Sequence, residues 1–335
     1  MNLLEIDPSA VPQRILNTGE RMPAIGLGTF GSDKYSSTQV ADAVDIAIRI
    51  GFRLLDCASV YQNEREIGLV LNRIFSEGIV SRKDLFITSK VWNDRHHEVA
   101  AACRQSLTDL QCDELDLYLV HWPFPNIHVP GCGGDYRNPD ARPFDPEAYL
   151  DTWRQCEKLV DQGLVRHIGM SNMTIPKLKA ILPHCRIQPA ALEMELHPSF
   201  QQQELFDYAT SHGIVPIGYC PIGSPSRPER DRTPEDIADT QMPEITQIAQ
   251  AHGIHPALVC LKWAVQRGQI PIPFSVKEPQ LRANLRCTTE SLLTDEEMDE
   301  ITQCERNCRL VKGQVFLWEG AGGWEDLWDP TGELR

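Results

Sequence analysis

One alternation limits what this chain can become more than any other feature. Eight short, β-branched or apolar runs recur along it, and a helix-length amphipathic segment separates each from the next. The runs are IGLGTF (25–30), FRLLDCA (52–58), DLFITSKVW (84–92), LDLYLVHW (115–122), VRHIGMSN (165–172), AALEMEL (190–196), IVPIGYCP (214–221) and IPIPFSV (270–276). Strands this continuously apolar are buried on both faces, which is the mark of a parallel sheet covered by helices. Between them, 40–51 carries apolar residues at helical spacing and stops on Gly51, while 149–163 and 203–213 also close on glycine. Asn63 and Glu66 have the spacing of a capping box ahead of a helix over 64–75. Eight strand-helix units close into a (β/α)8 TIM barrel more naturally than they open into a doubly wound sheet. The expected organisation is one domain over 1–335, with a barrel core at about 20–305 and a C-terminal tail at 306–335. Two segments stand outside the pattern: the Pro/Gly-rich insertion 124–149 and the tail, which holds Trp318, Trp324 and Trp328.

The formal charge of −15 argues against nucleic acid or an anionic membrane as partner, because phosphate binding needs clustered cations. No apolar run approaches membrane-spanning length, and MNLLEIDPSAVPQ lacks a signal core, so a cytoplasmic location is expected. The eleven cysteines are scattered without zinc spacing and read as reduced, mostly core-filling thiols, with no metal site expected.

If the strands are parallel, their C-terminal ends gather polar groups on one rim. Asp56 ends the second strand, Lys90 the third and His121 the fourth, and Tyr61 lies in the loop after the second. Singly, each has an ordinary structural reading as a cap, an anchor or a solvated charge. Four titratable groups on one rim point to chemistry. A phenol with a pKa of about 10 keeps its proton near neutrality, and a nearby ammonium is expected to lower that value and make Tyr61 a better acid. Asp56 would keep Lys90 charged, and His121 would orient the oxygen that Tyr61 protonates. No nucleophile with an evident base and no metal cluster is present, so an external hydride donor completes the scheme most simply.

LDCASVYQNEREIG, LFITSKVW, LDLYLVHWP and VRHIGMSN resemble the signature segments of the aldo-keto reductases, in particular the aldose and xylose reductase branch, and the resemblance runs from MPAIGLGTF to about Arg309. It implies a (β/α)8 barrel that binds a nicotinamide dinucleotide without a Rossmann domain. It further implies Tyr61 as general acid or base, Asp56 and Lys90 tuning it, and His121 orienting the carbonyl. Gly28, Thr29 and Phe30 would border the nicotinamide, Ser171 and Asn172 would bond its carboxamide, and Tyr219 would stack on its ring. Pro221, Ile222 and Ser224, in the loop that covers the pyrophosphate, and Phe274, Ser275, Val276, Lys277, Gln280 and Asn284 complete the implied cofactor site.

Three departures limit the transfer. Leu192 and Glu193 replace a common Asn-Gln pair, and Glu193 is expected to accept a bond from the carboxamide without donating one, and to favour an oxidised nicotinamide. Phe274 and Gln280 replace the Lys and Arg that usually hold a 2′-phosphate, although Lys277 and Arg282 are near enough in sequence to substitute. The balance favours NAD(H), with NADP(H) as the alternative. In the loop 219–236, Ser226 stands where relatives carry an acidic latch, which points to a rearranged clamp through Arg227 or Arg230.

Phe30, Ser59, Trp92 and Trp122 are the expected substrate contacts, and the Trp-rich tail is either a lid or a packed extension that could serve as a subunit contact. Ser59, Asn93 and Asp94 lean towards a polyhydroxylated substrate. The expected activity is an NAD(P)(H)-dependent interconversion of an aldehyde, ketone or aldose and its alcohol, in a monomer or small homo-oligomer. The alternatives are a sugar or polyol dehydrogenase working oxidatively, or a non-catalytic subunit on the same scaffold.

Overall fold

The computed structural model describes residues 6–31, 34–125, 141–223, 232–234 and 236–334. Strands β1 (Gln13–Ile15) and β2 (Arg21–Pro23) form an antiparallel hairpin with Arg14 opposite Met22. Eight parallel strands follow: β3 (Leu27–Gly28), β4 (Leu54–Asp56), β5 (Phe86–Val91), β6 (Leu115–Val120), β7 (Val165–Ser171), β8 (Ala191–Glu195), β9 (Val215–Tyr219) and β10 (Ile270–Pro271). They pair in chain order, each inside one of the eight apolar runs. The Gly26 and Gly28 amides donate to the Pro271 and Pro273 carbonyls at 3.0 and 3.1 Å, which joins the first strand to the last and closes the barrel. At this seam Gly28 is needed for a steric reason: a Cβ there would lie 2.8 Å from the Ile272 carbonyl oxygen.

Strand periodicity sorts side chains into two cores. Leu54, Phe86, Leu117, Leu119, Ala191, Val215, Ile217 and Ile270 fill the barrel interior, and Leu16 and Met22 from the hairpin pack with them. Their chain neighbours Leu55, Ile87, Tyr118, Val120 and Leu192 face the helices. Two residues beyond an interior position is again interior. Asp56, Lys90, His121, Glu193 and Tyr219 therefore line the inner surface, in the last layer at the C-terminal ends of their strands.

The helices α1 (Ser37–Ile50), α2 (Glu64–Ser76), α3 (Val99–Leu110), α4 (Pro146–Asp161), α5 (Ile175–Ile181) and α6 (Gln203–Ser211) follow successive strands. Ser36 and Gln39 form a capping box for α1, and Gly51, Gly163 and Gly213 turn with positive φ. The expected capping box at Asn63 and Glu66 is not formed. The Asn63 amide instead donates to the Thr29 carbonyl at 2.8 Å, tying the loop that carries Tyr61 to the first barrel strand. Two helices, α7 (Pro243–His252) and α8 (Pro256–Gln266), follow β9. After β10 come α9 (Glu278–Arg286) and α10 (Asp295–Thr302), and residues of α7, α8 and α10 share a satellite core. Cys57, Cys103, Cys156, Cys260, Cys287 and Cys304 are buried as core-filling residues. Among the described residues no helix is long and apolar enough to cross a membrane.

Candidate active site

Lys90, at the end of β5, is fully buried, and all three of its ammonium hydrogens are engaged. They go to Asp56 Oδ1 at 2.8 Å, Asp56 Oδ2 at 2.7 Å and the Cys57 carbonyl at 3.0 Å. Removal from water would discharge the amine, but the charges of Asp56, Glu193 and Tyr61 outweigh that and hold Lys90 protonated well above its usual range. Glu193 Oε2 lies 3.4 Å from the same ammonium and takes no hydrogen bond. Burial and the neighbouring Asp56 charge push the Glu193 carboxyl up to about 8. With its carboxyl raised in this way, Glu193 can donate as well as accept the hydrogen bond expected of it.

Tyr61 stands over this cluster, with Lys90 Nζ 5.3 Å from its ring centroid. Lys90 does pull the phenol pKa down, as expected. Lost hydration, together with the Asp56 and Glu193 charges, pushes harder the other way, so the net shift is upward. The expectation of a lowered value is corrected on that ground, and near neutrality the phenol is loaded with its proton. His121 sits edge-on to Tyr61 with ring centroids 5.8 Å apart and edge-on to Trp92 at 4.9 Å. Burial and the Lys90 and His96 charges depress its pKa well below the usual range. A neutral imidazole results, able to donate one directed hydrogen bond.

The residues expected to hold a cofactor flank this cluster on one side. Thr29 is buried and donates through both its amide, at 3.1 Å, and its hydroxyl, at 2.8 Å, to the Asp56 carbonyl, while Phe30 is 38% exposed and packs 5.3 Å from Tyr61. Ser171 is level with Glu193 on the adjacent strand, and the Asn172 amide donates to the Glu193 carbonyl. The Asn172 side chain, turned at φ 58°, donates to the His121 carbonyl at 2.9 Å and accepts from the Tyr219 hydroxyl at 2.7 Å. Pro221 and Ile222 begin the next loop, whereas Ser224, Ser226, Arg227 and Arg230, and with them the expected latch, lie outside the described residues.

At the far end of this surface the Ser275 hydroxyl donates to Gln280 Oε1 at 2.6 Å and receives the Lys277 amide. Lys277 caps the start of α9 with an exposed side chain, Arg282 pairs with Glu278, and Phe274 packs on Tyr35 at 5.7 Å. Val276 and Asn284 are half-buried beside them.

The substrate side is more aromatic than expected. Ser59 is half-buried and donates to the Lys90 carbonyl at 3.2 Å, Asn93 is 1% exposed, and Asp94 alone of the expected polar trio is fully exposed. Phe316, a tail residue that sequence reasoning passed over, lies 5.9 Å from Trp92 and 4.5 Å from Trp122 and joins the two expected walls. Only its place in an aromatic-rich tail hinted at this; its partners are far away in sequence. The tail packs on the barrel. Trp328 sits edge-on to Trp122 with ring centroids 5.7 Å apart and donates its indole N–H to the Lys312 carbonyl at 2.8 Å. The buried Lys177 of α5 donates to the Leu327 carbonyl and to Asp329.

The family model for the aldo/keto reductase family matches residues 24–306. An aldo/keto reductase of Synechocystis is 41% identical over 323 residues, 94% of this chain and 95% of its own length. The structure of the aldose reductase from Schistosoma japonicum superimposes with a TM-score of 0.79 at 36% identity, covering 93% of this chain and 98% of that one. The crystal structure of Bombyx mori aldo-keto reductase in complex with NADP gives 0.80 at 31% identity, over 90% and 94% of the two chains.

Proposed function

The chain belongs to the aldo/keto reductase family of NAD(P)-dependent oxidoreductases, and on that premise we propose that it reduces an aldehyde-type carbonyl to its alcohol with Tyr61 as the proton donor. The observation that carries this reading is the convergence of Tyr61, Lys90, Asp56 and His121 on one rim, with the phenol holding its proton and the imidazole neutral. A nicotinamide bound beside Phe30 and Tyr219 would supply the hydride. His121 donates a hydrogen bond to the carbonyl oxygen and fixes its position against the aromatic wall. As negative charge grows on that oxygen, Tyr61 passes its proton to it, and the charged Lys90 stabilises the phenolate left behind. Asp56 keeps Lys90 charged and in place.

The residues present fit a nicotinamide dinucleotide. Glu193 Oε2 is a buried oxygen without a hydrogen bond, and Phe30 and Tyr219 present aromatic rings at the same rim. The Bombyx mori relative was solved with NADP, and Lys277 offers an exposed cation at the start of α9. Both weigh towards NADP(H), against the expectation of NAD(H) drawn from Phe274 and Gln280. The shortage of open polar groups near Tyr61, with Trp92, Trp122 and Phe316 as walls, favours aldehydes with apolar substituents over free sugars. Following NADPH and NADH absorbance with a panel of aldehydes, ketones and aldoses tests the reading. Tyr61→Phe is expected to lower kcat by about 100-fold or more, the usual contribution of a positioned acid. Full activity in that variant, or no turnover of any carbonyl by the wild type, would overturn it.

A further inference from the structure

The cluster around Lys90 contains one cation and two carboxylates in a space closed to water. Lys90 directs its short hydrogen bonds to both Asp56 oxygens and the Cys57 carbonyl, and Glu193 Oε2 stands farther off, at 3.4 Å. With both carboxylates ionised, the cluster would carry a net negative charge and Glu193 Oε2 would carry its share without a hydrogen bond. With Glu193 protonated, the cluster is neutral. Glu193 also lies level with Ser171, and its carbonyl fixes the Asn172 amide, so it shares the strand layer of the two residues that border the proposed nicotinamide site.

We propose that Glu193 is a redox-state selector: it rests as a neutral acid and surrenders its proton to bulk water when an oxidised, positively charged nicotinamide occupies the site. This rests on the reading of the site given above. The balance is simple, since the O–H bond of the Glu193 carboxyl breaks, the proton leaves to solvent, and nothing is oxidised or reduced. A cation arriving next to the cluster replaces the missing positive partner, and the ionised Glu193 then favours that cation over the uncharged reduced ring.

The other titratable groups facing Glu193 are Asp56 from β4, Lys90 from β5, Tyr61 from the loop after β4 and Tyr219 from β9. Lys90 and both phenols are held above their ordinary ranges, and Asp56 is bound to Lys90. Burial raises the Asp56 carboxyl as well, against the pull of Lys90, and of the two neighbouring carboxyls Glu193, raised to about 8, is the one farther from the ammonium. On the same strand, Glu195 is bonded to His197 and the tail amides rather than to this cluster.

Titrating the full-length protein with NADP+ and with NADPH by tryptophan fluorescence, from about pH 7 to about pH 9, tests the proposal. The ratio of the two dissociation constants cancels any titration of the nucleotide phosphates, which both forms share. In the wild type the ratio is expected to move at least about fivefold in favour of NADP+ as pH rises, a coupling of ordinary size. Calorimetry in buffers of different ionisation enthalpy is expected to show more proton release with NADP+ than with NADPH near pH 7, a difference that Glu193→Gln abolishes. Glu193→Gln, close in shape, is expected to bind both nucleotides with a pH-independent ratio. Tyr61→Phe is expected to keep the wild-type slope while losing turnover, which separates this proposal from the catalytic reading. A flat ratio in the wild type, or an unchanged slope in Glu193→Gln, overturns the selector alone. If the wild type binds neither nucleotide, both readings fall.

Discussion

Glu193 and Glu195 sit two residues apart on the same face of β8, both buried, and they hold their protons in opposite ways. Burial works against the charge of each. At Glu195 it is overcome by three donors: His197 Nε2 at 3.0 Å, the Leu310 amide at 2.6 Å and the Val311 amide at 2.8 Å. Its carboxyl is held below the usual range, whereas Glu193, whose Oε2 takes no hydrogen bond, is pushed up to about 8. The number of hydrogens aimed at a carboxylate, more than its depth, decides whether it is ionised. Glu195 spends those bonds on anchoring the start of the tail to the barrel, and Glu193 keeps its freedom beside the chemistry.

The largest test of this contrast is removal of Glu195. Glu195→Ala leaves His197 without one of its two carboxylates and leaves two tail amides unsatisfied, so a loss of about 3–5 kcal/mol is expected in urea denaturation near pH 7. Glu193→Gln should cost no stability at the same pH and is expected to raise it, since Glu193 must take up a proton on folding there and an amide need not. Equal costs would break the comparison.

The pH dependence of stability sharpens it. Burial alone would lower the His197 pKa, but Asp239 and Glu195 together raise it to about 9. Its raised value means that its contribution is full below about 6.5 and is lost as pH rises through about 9. Glu193 is raised from 4.5 to about 8, so its contribution is present at low pH and disappears as pH climbs through about 8. Denaturation midpoints should fall in both ranges. Glu193→Gln should remove the part of the fall that ends near pH 8 and leave the part that ends near pH 9. The smallest effect is expected where water supplies the missing partner. Arg154 and Asp151 pair on the surface with side chains 52% and 73% exposed, and Arg154→Ala should change the denaturation midpoint by an amount worth no more than about 0.5 kcal/mol.

The elements that were legible in the sequence are those written in local periodicity. Each of the eight strands lies inside an apolar run, and the inward parity of Asp56, Lys90 and His121 follows from counting by two. Long-range or competing terms were not legible. The hairpin of β1 and β2 is three residues a side and partly polar, so its plugging role depends on Leu16 and Met22 reaching the barrel interior. Asn63 could cap its helix or bond Thr29, and only the fold decides between them. The direction of the Tyr61 shift depended on weighing burial against Lys90, and the proton on Glu193 depended on which oxygens had already claimed the three lysine hydrogens.

The seam at Gly26 and Gly28 joins the first strand of the barrel to the one that ends at Pro271, about 245 residues later. During synthesis, a nascent chain that has not yet delivered that last strand exposes two raw sheet edges, one at β3 and one at β9, each able to capture a strand from a neighbouring molecule. A ribosome stalled late in this reading frame, or a chain cut before residue 270, would therefore release an aggregation seed rather than a smaller enzyme.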